Sequence, residues 1–169
     1  MITLVLGGAR SGKSEIAERL AARLPSPVLY FATAVVDGDD DLVARVTEHQ
    51  DRRPPDWKTI EAEGDLVGAL RSAASGTALV DALGPWVASH DDFVVDCDDL
   101  LGALADRDGD TIVVSEEVGL GVHPSTEAGR RFRDALGNVN RAVAAIADQV
   151  LLVVAGRVLP LDPMPHDEP

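Results

Sequence analysis

The stretch Gly7-Gly8-Ala9-Arg10-Ser11-Gly12-Lys13-Ser14 fits the pattern G-x-x-x-x-G-K-[ST], and its flanks decide how it is read. Ahead of it, Ile2-Thr3-Leu4-Val5-Leu6 is a short apolar run of the kind that forms a buried strand. Behind it, Glu15 to Leu24 repeats its apolar residues at helical spacing. Strand, glycine loop and helix together are the setting of a phosphate-binding loop. Glycines let backbone N–H groups turn inward around an anion, and the helix N-terminus adds partial positive charge. In such a loop Lys13 reaches the β- and γ-phosphates and the Ser14 hydroxyl ligates Mg²⁺. A bare strand-to-helix turn would need neither Lys nor Ser in register. The loop is therefore read as a nucleoside triphosphate site.

Working outward, strand-like and helix-like segments alternate to the end of the chain. Val28-Leu29-Tyr30-Phe31 reads as a second strand, ending in the small residues Ala32-Thr33-Ala34. Ligands of open α/β sheets gather at such carboxyl ends, although an ordinary strand exit fits the spacing equally well. A helix is expected from Leu42 to Asp51, with Arg45 and His49 four apart on one side and Arg52 and Arg53 at its end. Cations at a helix C-terminus are favourable on dipole grounds, and the set also suits a phosphate-facing cluster. Trp57 to Glu61 is a short strand whose Glu61 is either a surface ion-pair group or a ligand contact. Thr77-Ala78-Leu79-Val80-Asp81 is an apolar strand ending in a carboxylate, the type of residue that holds Mg²⁺ in phosphate-loop proteins.

Helices are expected over Asp65–Ala74, Leu100–Ala105 and Ser125–Ile146, and strands over Thr111–Ser115 and Val150–Ala155. Val118 to Pro124 is too glycine-rich for regular structure and reads as a loop over the site. His90 has no visible partner and reads as a surface histidine. This alternation defines an α/β fold with a mainly parallel sheet. One domain is expected over residues 1–161, with a disordered tail over 162–169 that is rich in proline and acid.

Composition narrows the partners. The formal charge of −14 argues against nucleic acid or an anionic membrane. Hydrophobic residues make up 46% of the chain but aromatics only 4%, so the core is aliphatic, as strands buried on both faces require. No apolar stretch is long enough for membrane insertion, and no signal peptide is expected ahead of the first strand. The single cysteine, Cys97, cannot form an internal disulfide, so a cytoplasmic setting is expected. Its neighbours Asp96 and Asp98 should disfavour the thiolate.

Taken together these segments resemble the bifunctional adenosylcobinamide kinase / adenosylcobinamide-phosphate guanylyltransferase family of cobalamin biosynthesis, over nearly the whole chain. The resemblance rests on GGARSGKS at Gly7–Ser14, Tyr30 to Ala34, Arg45 to His49 with Arg53-Pro54, Trp57 to Glu61 and Val80-Asp81. It continues through Glu117-Val118-Gly119-Leu120-Gly121 and Arg131-Phe132-Arg133-Asp134 with Gly137 and Asn140. It implies a single-domain P-loop NTPase fold, RecA-like, assembled as a homo-oligomer, usually a trimer. It also implies two reactions. ATP or GTP phosphorylates the aminopropanol hydroxyl of adenosylcobinamide, and GMP from GTP then passes to that phosphate, giving adenosylcobinamide-GDP and pyrophosphate. His49 matches the histidine that carries GMP. Ala32, Thr33, Ala34, Gln50, Asp51, Arg52, Arg53, Glu61 and Asp81 match the guanine-nucleotide contacts. The chain departs from the pattern at Glu116 (usually Asn), His123 (usually apolar) and Arg141 (usually Gln), and it is short between Ser89 and Asp110. The competing readings are a single-activity small-molecule kinase and a nucleotide sensor without turnover.

Overall fold

The computed structural model describes residues 1–34, 54–62 and 64–163. Within them the elements run β1 (Ile2–Gly7), α1 (Lys13–Ala21), β2 (Val28–Ala32), β3 (Lys58–Glu61), α2 (Leu66–Ser72), β4 (Thr77–Asp81) and α3 (Leu83–Ala88). They continue with α4 (Cys97–Ala105), β5 (Thr111–Glu116), α5 (Glu127–Ile146), β6 (Gln149–Val154) and β7 (Arg157–Pro160). The strands form one seven-stranded sheet in the order β3-β2-β4-β5-β1-β6-β7. All its pairings are parallel except that of β6 with β7.

Successive side chains of a strand point to opposite faces, so a strand buried on both sides is apolar throughout. Leu4 and Leu6 of β1 join one core cluster, with Leu29 and Phe31 of β2, Ala78 and Val80 of β4 and Val113 of β5. Val5, Tyr30, Leu79, Ile112 and Val114 join a second cluster across the sheet. Helices α2 to α5 cover the first face, whereas Ala17 and Ala21 of α1 pack on the second. Helix α5 buries Leu136, Val139, Asn140 and Val143 at helical spacing, and Thr126 caps its start by accepting from the Gly129 N–H at 3.1 Å.

Three elements differ from the sequence reading. Helix α4 begins at Cys97 rather than Leu100, because the Asp96 carboxylate accepts from the Asp99 N–H at 2.9 Å and starts it earlier. Helix α3 occupies Leu83–Ala88, where no element was expected, with Pro85 in its first turns, where a missing N–H costs nothing. The chain also gains β7. Ala155 and Gly156, both at positive φ (50° and 71°), form a two-residue turn that folds it back on β6 as a hairpin.

One side chain is better connected than expected, and another behaves as expected. His90 is half-buried, its Nδ1 lies 2.8 Å from the Trp86 carbonyl oxygen, and its ring meets the Trp86 indole edge-on at 5.1 Å. The Cys97 thiol is pushed up from its ordinary pKa by burial first, and only then by Asp98 and Asp96.

Arg107 is the fold's main buried cation, only 8% exposed. Its guanidinium donates to the carbonyls of Leu70, Ala73 and Gly76 and to Thr111 Oγ1, and it lies 5.7 Å from the centre of the Phe31 ring. It thereby satisfies the orphan carbonyls at the end of α2, where a cation also suits the helix dipole. Burial lowers its pKa from the ordinary arginine value. Arg107→Ala would leave those carbonyls unpaired and is expected to cost about 3 kcal/mol of stability, read from urea unfolding. A loss below about 0.5 kcal/mol would mean that water replaces the guanidinium without penalty.

Candidate active site

The phosphate loop is shaped by what its residues lack. Gly12 precedes α1 at φ 91°, a left-handed conformation that L side chains rarely adopt, and no side chain caps the helix. The N–H groups of its first turn are therefore left for a ligand. A Cβ at residue 7 would stand 2.4 Å from Ser11 Oγ and 2.9 Å from the Val153 carbonyl oxygen, so the close turn requires glycine. The Ser11 hydroxyl is itself buried and without a partner among the described residues. The β6–β7 turn braces the loop from outside, the Gly156 N–H donating to the Ser11 carbonyl at 2.8 Å. Arg10 is exposed at φ 55° on the loop's rim.

The other candidate residues lie along the same carboxyl edge of the sheet. Asp81 ends β4, and the Ser14 hydroxyl donates to its Oδ1 at 3.1 Å. Its Oδ2 accepts from the hydroxyl of Tyr30, a ring only 2% exposed. The register sets Ala32 level with Asp81 on one side and with Glu61 on the other. Thr33 is fully buried; its hydroxyl donates to the Ala82 carbonyl at 2.5 Å and accepts from the Ala82 N–H at 2.8 Å. It is thus a clamp between β2 and β4. Glu61 is exposed at the β3 end. Of the loop residues Ser14 is the one that touches Asp81, Lys13 faces Glu116 instead, and His49, Gln50, Asp51, Arg52 and Arg53 lie outside the described residues.

Two further side chains join the site that periodicity could not reveal. Glu116 ends β5, between the loop strand and the Asp81 strand, and its Oε1 lies 3.5 Å from Lys13 Nζ. Asn140, only 7% exposed on α5, accepts from the Ser115 hydroxyl at 2.5 Å and donates to the Glu116 carbonyl at 3.0 Å. It fixes the end of β5 beside the loop. The expected loop over Val118–Pro124 is present, with Leu120 and Val122 exposed. The cations that follow it are tied down locally: Arg131 pairs with Asp92, Arg133 with Asp134 and His123, and Arg130 with the Pro124 and Ser125 carbonyls.

A hard dication takes oxygen ligands, and the oxygens of Ser14 and Asp81 already converge at the loop mouth. No group of three or more His, Cys, Asp or Glu forms a self-sufficient metal cage among the described residues. The two oxygens of Ser14 and Asp81 fit Mg²⁺, a cation that keeps waters and phosphate oxygens among its ligands.

A glycine loop on a central strand, an acid on the strand beyond its neighbour and helices on both faces define a P-loop NTPase of RecA-like architecture. The fold recurs in the solved ATPase from the type III secretion system of pathogenic bacteria. That structure superposes with a TM-score of 0.53 at 10% identity, over 89% of this chain and 51% of the other. Fold alone does not choose a chemistry; the sequence around the loop does. Residues 3–161 match the model of the cobinamide kinase / cobinamide phosphate guanyltransferase family, and the chain belongs to that family. It is 42% identical to the bifunctional adenosylcobalamin biosynthesis protein CobP of Pseudomonas aeruginosa, over 95% of this chain and 97% of the relative. It is 37% identical to the corresponding protein CobU of Salmonella typhimurium, over 92% and 97%.

Proposed function

We infer that this chain performs both reactions of its family, phosphorylating adenosylcobinamide and then transferring GMP to the new phosphate. The observation that carries this reading is the uncapped loop with Lys13, Ser14 and Asp81 gathered at its mouth, in a chain matched to the family over residues 3–161.

In the first reaction the substrate hydroxyl attacks the γ-phosphorus, the bond to the bridging oxygen breaks, and the nucleoside diphosphate leaves. The chain's part is to place and neutralise charge: loop N–H groups hold the phosphates, and Lys13 meets the negative charge on the transferring group. Mg²⁺, held by Ser14 and Asp81, would supply further neutralisation of the phosphate oxygens. Tyr30 keeps the Asp81 carboxylate aimed at that position. In the second reaction a neutral His49 imidazole attacks the α-phosphorus of GTP and pyrophosphate leaves. The cobinamide phosphate then attacks the same phosphorus and regenerates the histidine. Arg45, Arg52 and Arg53 are the cations assigned to the charge that develops there. Ala32, Ala34, Gln50, Asp51 and Glu61 are assigned to the guanine nucleotide, whereas Thr33, expected among these contacts, is fully buried and holds the strand ends together instead.

The setting proposed is the cytoplasm; among the described residues no helix is long and apolar enough to cross a membrane. A homo-oligomer, in trimeric form, is proposed as well. Its support is the apolar edge that Val154, Val158, Leu159 and Leu161 leave exposed around β7. A monomeric mass by light scattering would remove it.

The test is product analysis with adenosylcobinamide, GTP and Mg²⁺. Formation of adenosylcobinamide-GDP is expected. Accumulation of the phosphate alone would establish a single-activity kinase, and no turnover would establish a sensor. In the same assay Asp81→Asn should raise the Mg²⁺ concentration for half-maximal rate several-fold, because an amide keeps the shape but loses the charge a dication favours. An unchanged Mg²⁺ dependence would make Asp81 structural.

A further inference from the structure

The Lys13 ammonium is paired within the loop. It faces the Glu116 carboxylate at 3.5 Å, with the two side chains only 12% and 27% exposed, so water screens the pair weakly. That carboxylate is held rather than loose. The Gly84 N–H donates to its Oε2 at 3.0 Å, and a Cβ at residue 84 would stand 2.1 Å from the same oxygen, so the bare glycine lets the acid lie there. Behind it, Glu116 stands level with Gly7 across β1 and β5, the Glu117 N–H donates to the Gly7 carbonyl, and Asn140 grips the Glu116 carbonyl. Backbone, glycine and asparagine all keep one negative charge beside the lysine of the phosphate loop.

We propose that Glu116 competes with the nucleotide for Lys13 and so sets the affinity of the loop for polyphosphate. A triphosphate entering the loop needs Lys13 on its β- and γ-oxygens, which means breaking the Lys13–Glu116 pair and leaving Glu116 near a second negative charge. Both effects weaken binding of the polyphosphate end, and neither touches the base or the α-phosphate. Glu116 is thus an affinity-setting residue that favours release of the spent nucleotide. Its effect scales with the phosphates beyond the first. The inference rests on the reading of Lys13 as the phosphate-binding lysine.

The experiment measures binding by titration calorimetry with Mg²⁺ and two probes. One is GMP; the other is a GTP analogue with methylene between the α- and β-phosphorus, which blocks guanylyl transfer. Glu116→Gln keeps an oxygen for the Gly84 N–H and removes the charge. It is expected to tighten the triphosphate analogue about tenfold and to leave GMP unchanged. Placed in a Lys13→Ala background, the same substitution should lose most of that gain. Unchanged or weaker analogue binding by Glu116→Gln would overturn the proposal, as would equal tightening of GMP. An undiminished gain without Lys13 would overturn the competition. Should the glutamine variant unfold early in a thermal scan, Glu116→Asn answers the same question. Analogue binding indifferent to Lys13→Ala alone would overturn the underlying reading of the loop instead.

Discussion

Lys13→Ala is expected to slow phosphorylation of adenosylcobinamide by about 10²-fold or more while the protein still folds. The position is the first of α1, and alanine is the best helix former, so the local backbone loses nothing. Its described polar contact is the ion pair with Glu116, and the packing of its stem, on a side chain only 12% exposed, is what alanine gives up. Removing one member of a half-buried pair leaves Glu116 with the Gly84 N–H still donating to it, which limits the cost in stability. The chemical cost is larger. Charge spreads over the equatorial oxygens of the transferring phosphoryl group, and the loop's backbone dipoles alone cannot replace a full positive charge there. The check is single-turnover phosphate transfer in a variant whose thermal unfolding matches the parent. A folded variant within threefold of the parent rate would take the loop out of the chemistry, whatever its sequence pattern.

How much of this was legible beforehand follows the distance over which each feature is decided. The loop, β1 and α1 were readable because motif, strand and helix are contiguous and each states its own rule: glycine where φ is positive, an apolar run where both faces are buried. Strand β4 and its terminal Asp81 were readable for the same reason. The partners of Asp81 were not, because Tyr30 lies 51 residues away and meets it only once β2 and β4 pair in register. Glu116 stood out only as a departure from a pattern. Its contact with Lys13 depends on β5 coming between β1 and β4, which no local period encodes. The hairpin that ends in β7 was missed although its signal is local: Ala155-Gly156 lacks the Asn or Asp that usually marks such a turn. Its consequence, a brace on the Ser11 carbonyl, could come only from the fold. Arg107 likewise follows an unremarkable acidic turn in sequence, yet ends up closing α2.

His49→Asn is expected to abolish GMP transfer while leaving phosphorylation of adenosylcobinamide within a few-fold of the parent. His49 lies outside the described residues, so the argument comes from chemistry and from the family resemblance. The kinase step hands phosphate directly to a hydroxyl and uses no covalent enzyme intermediate. The second step replaces one hard displacement with two easier ones through an enzyme nucleophile. Neutral imidazole is the side chain suited to that role near neutral pH, and an amide of similar size is not nucleophilic. In sequence Arg45, Arg52 and Arg53 all lie within four residues of His49, cations of the kind that favour bound phosphate. Incubation with GTP labelled at the α-phosphate should therefore label the parent chain and not the variant. The adduct should behave as a P–N bond, broken by mild acid and stable to alkali, the reverse of an acyl phosphate. A histidine that merely ends a helix would make asparagine nearly silent in both assays. If the asparagine variant forms adenosylcobinamide-GDP at the parent rate, the nucleophile is another residue. If it loses both activities together while remaining folded, the two reactions share His49 and cannot be separated by this change.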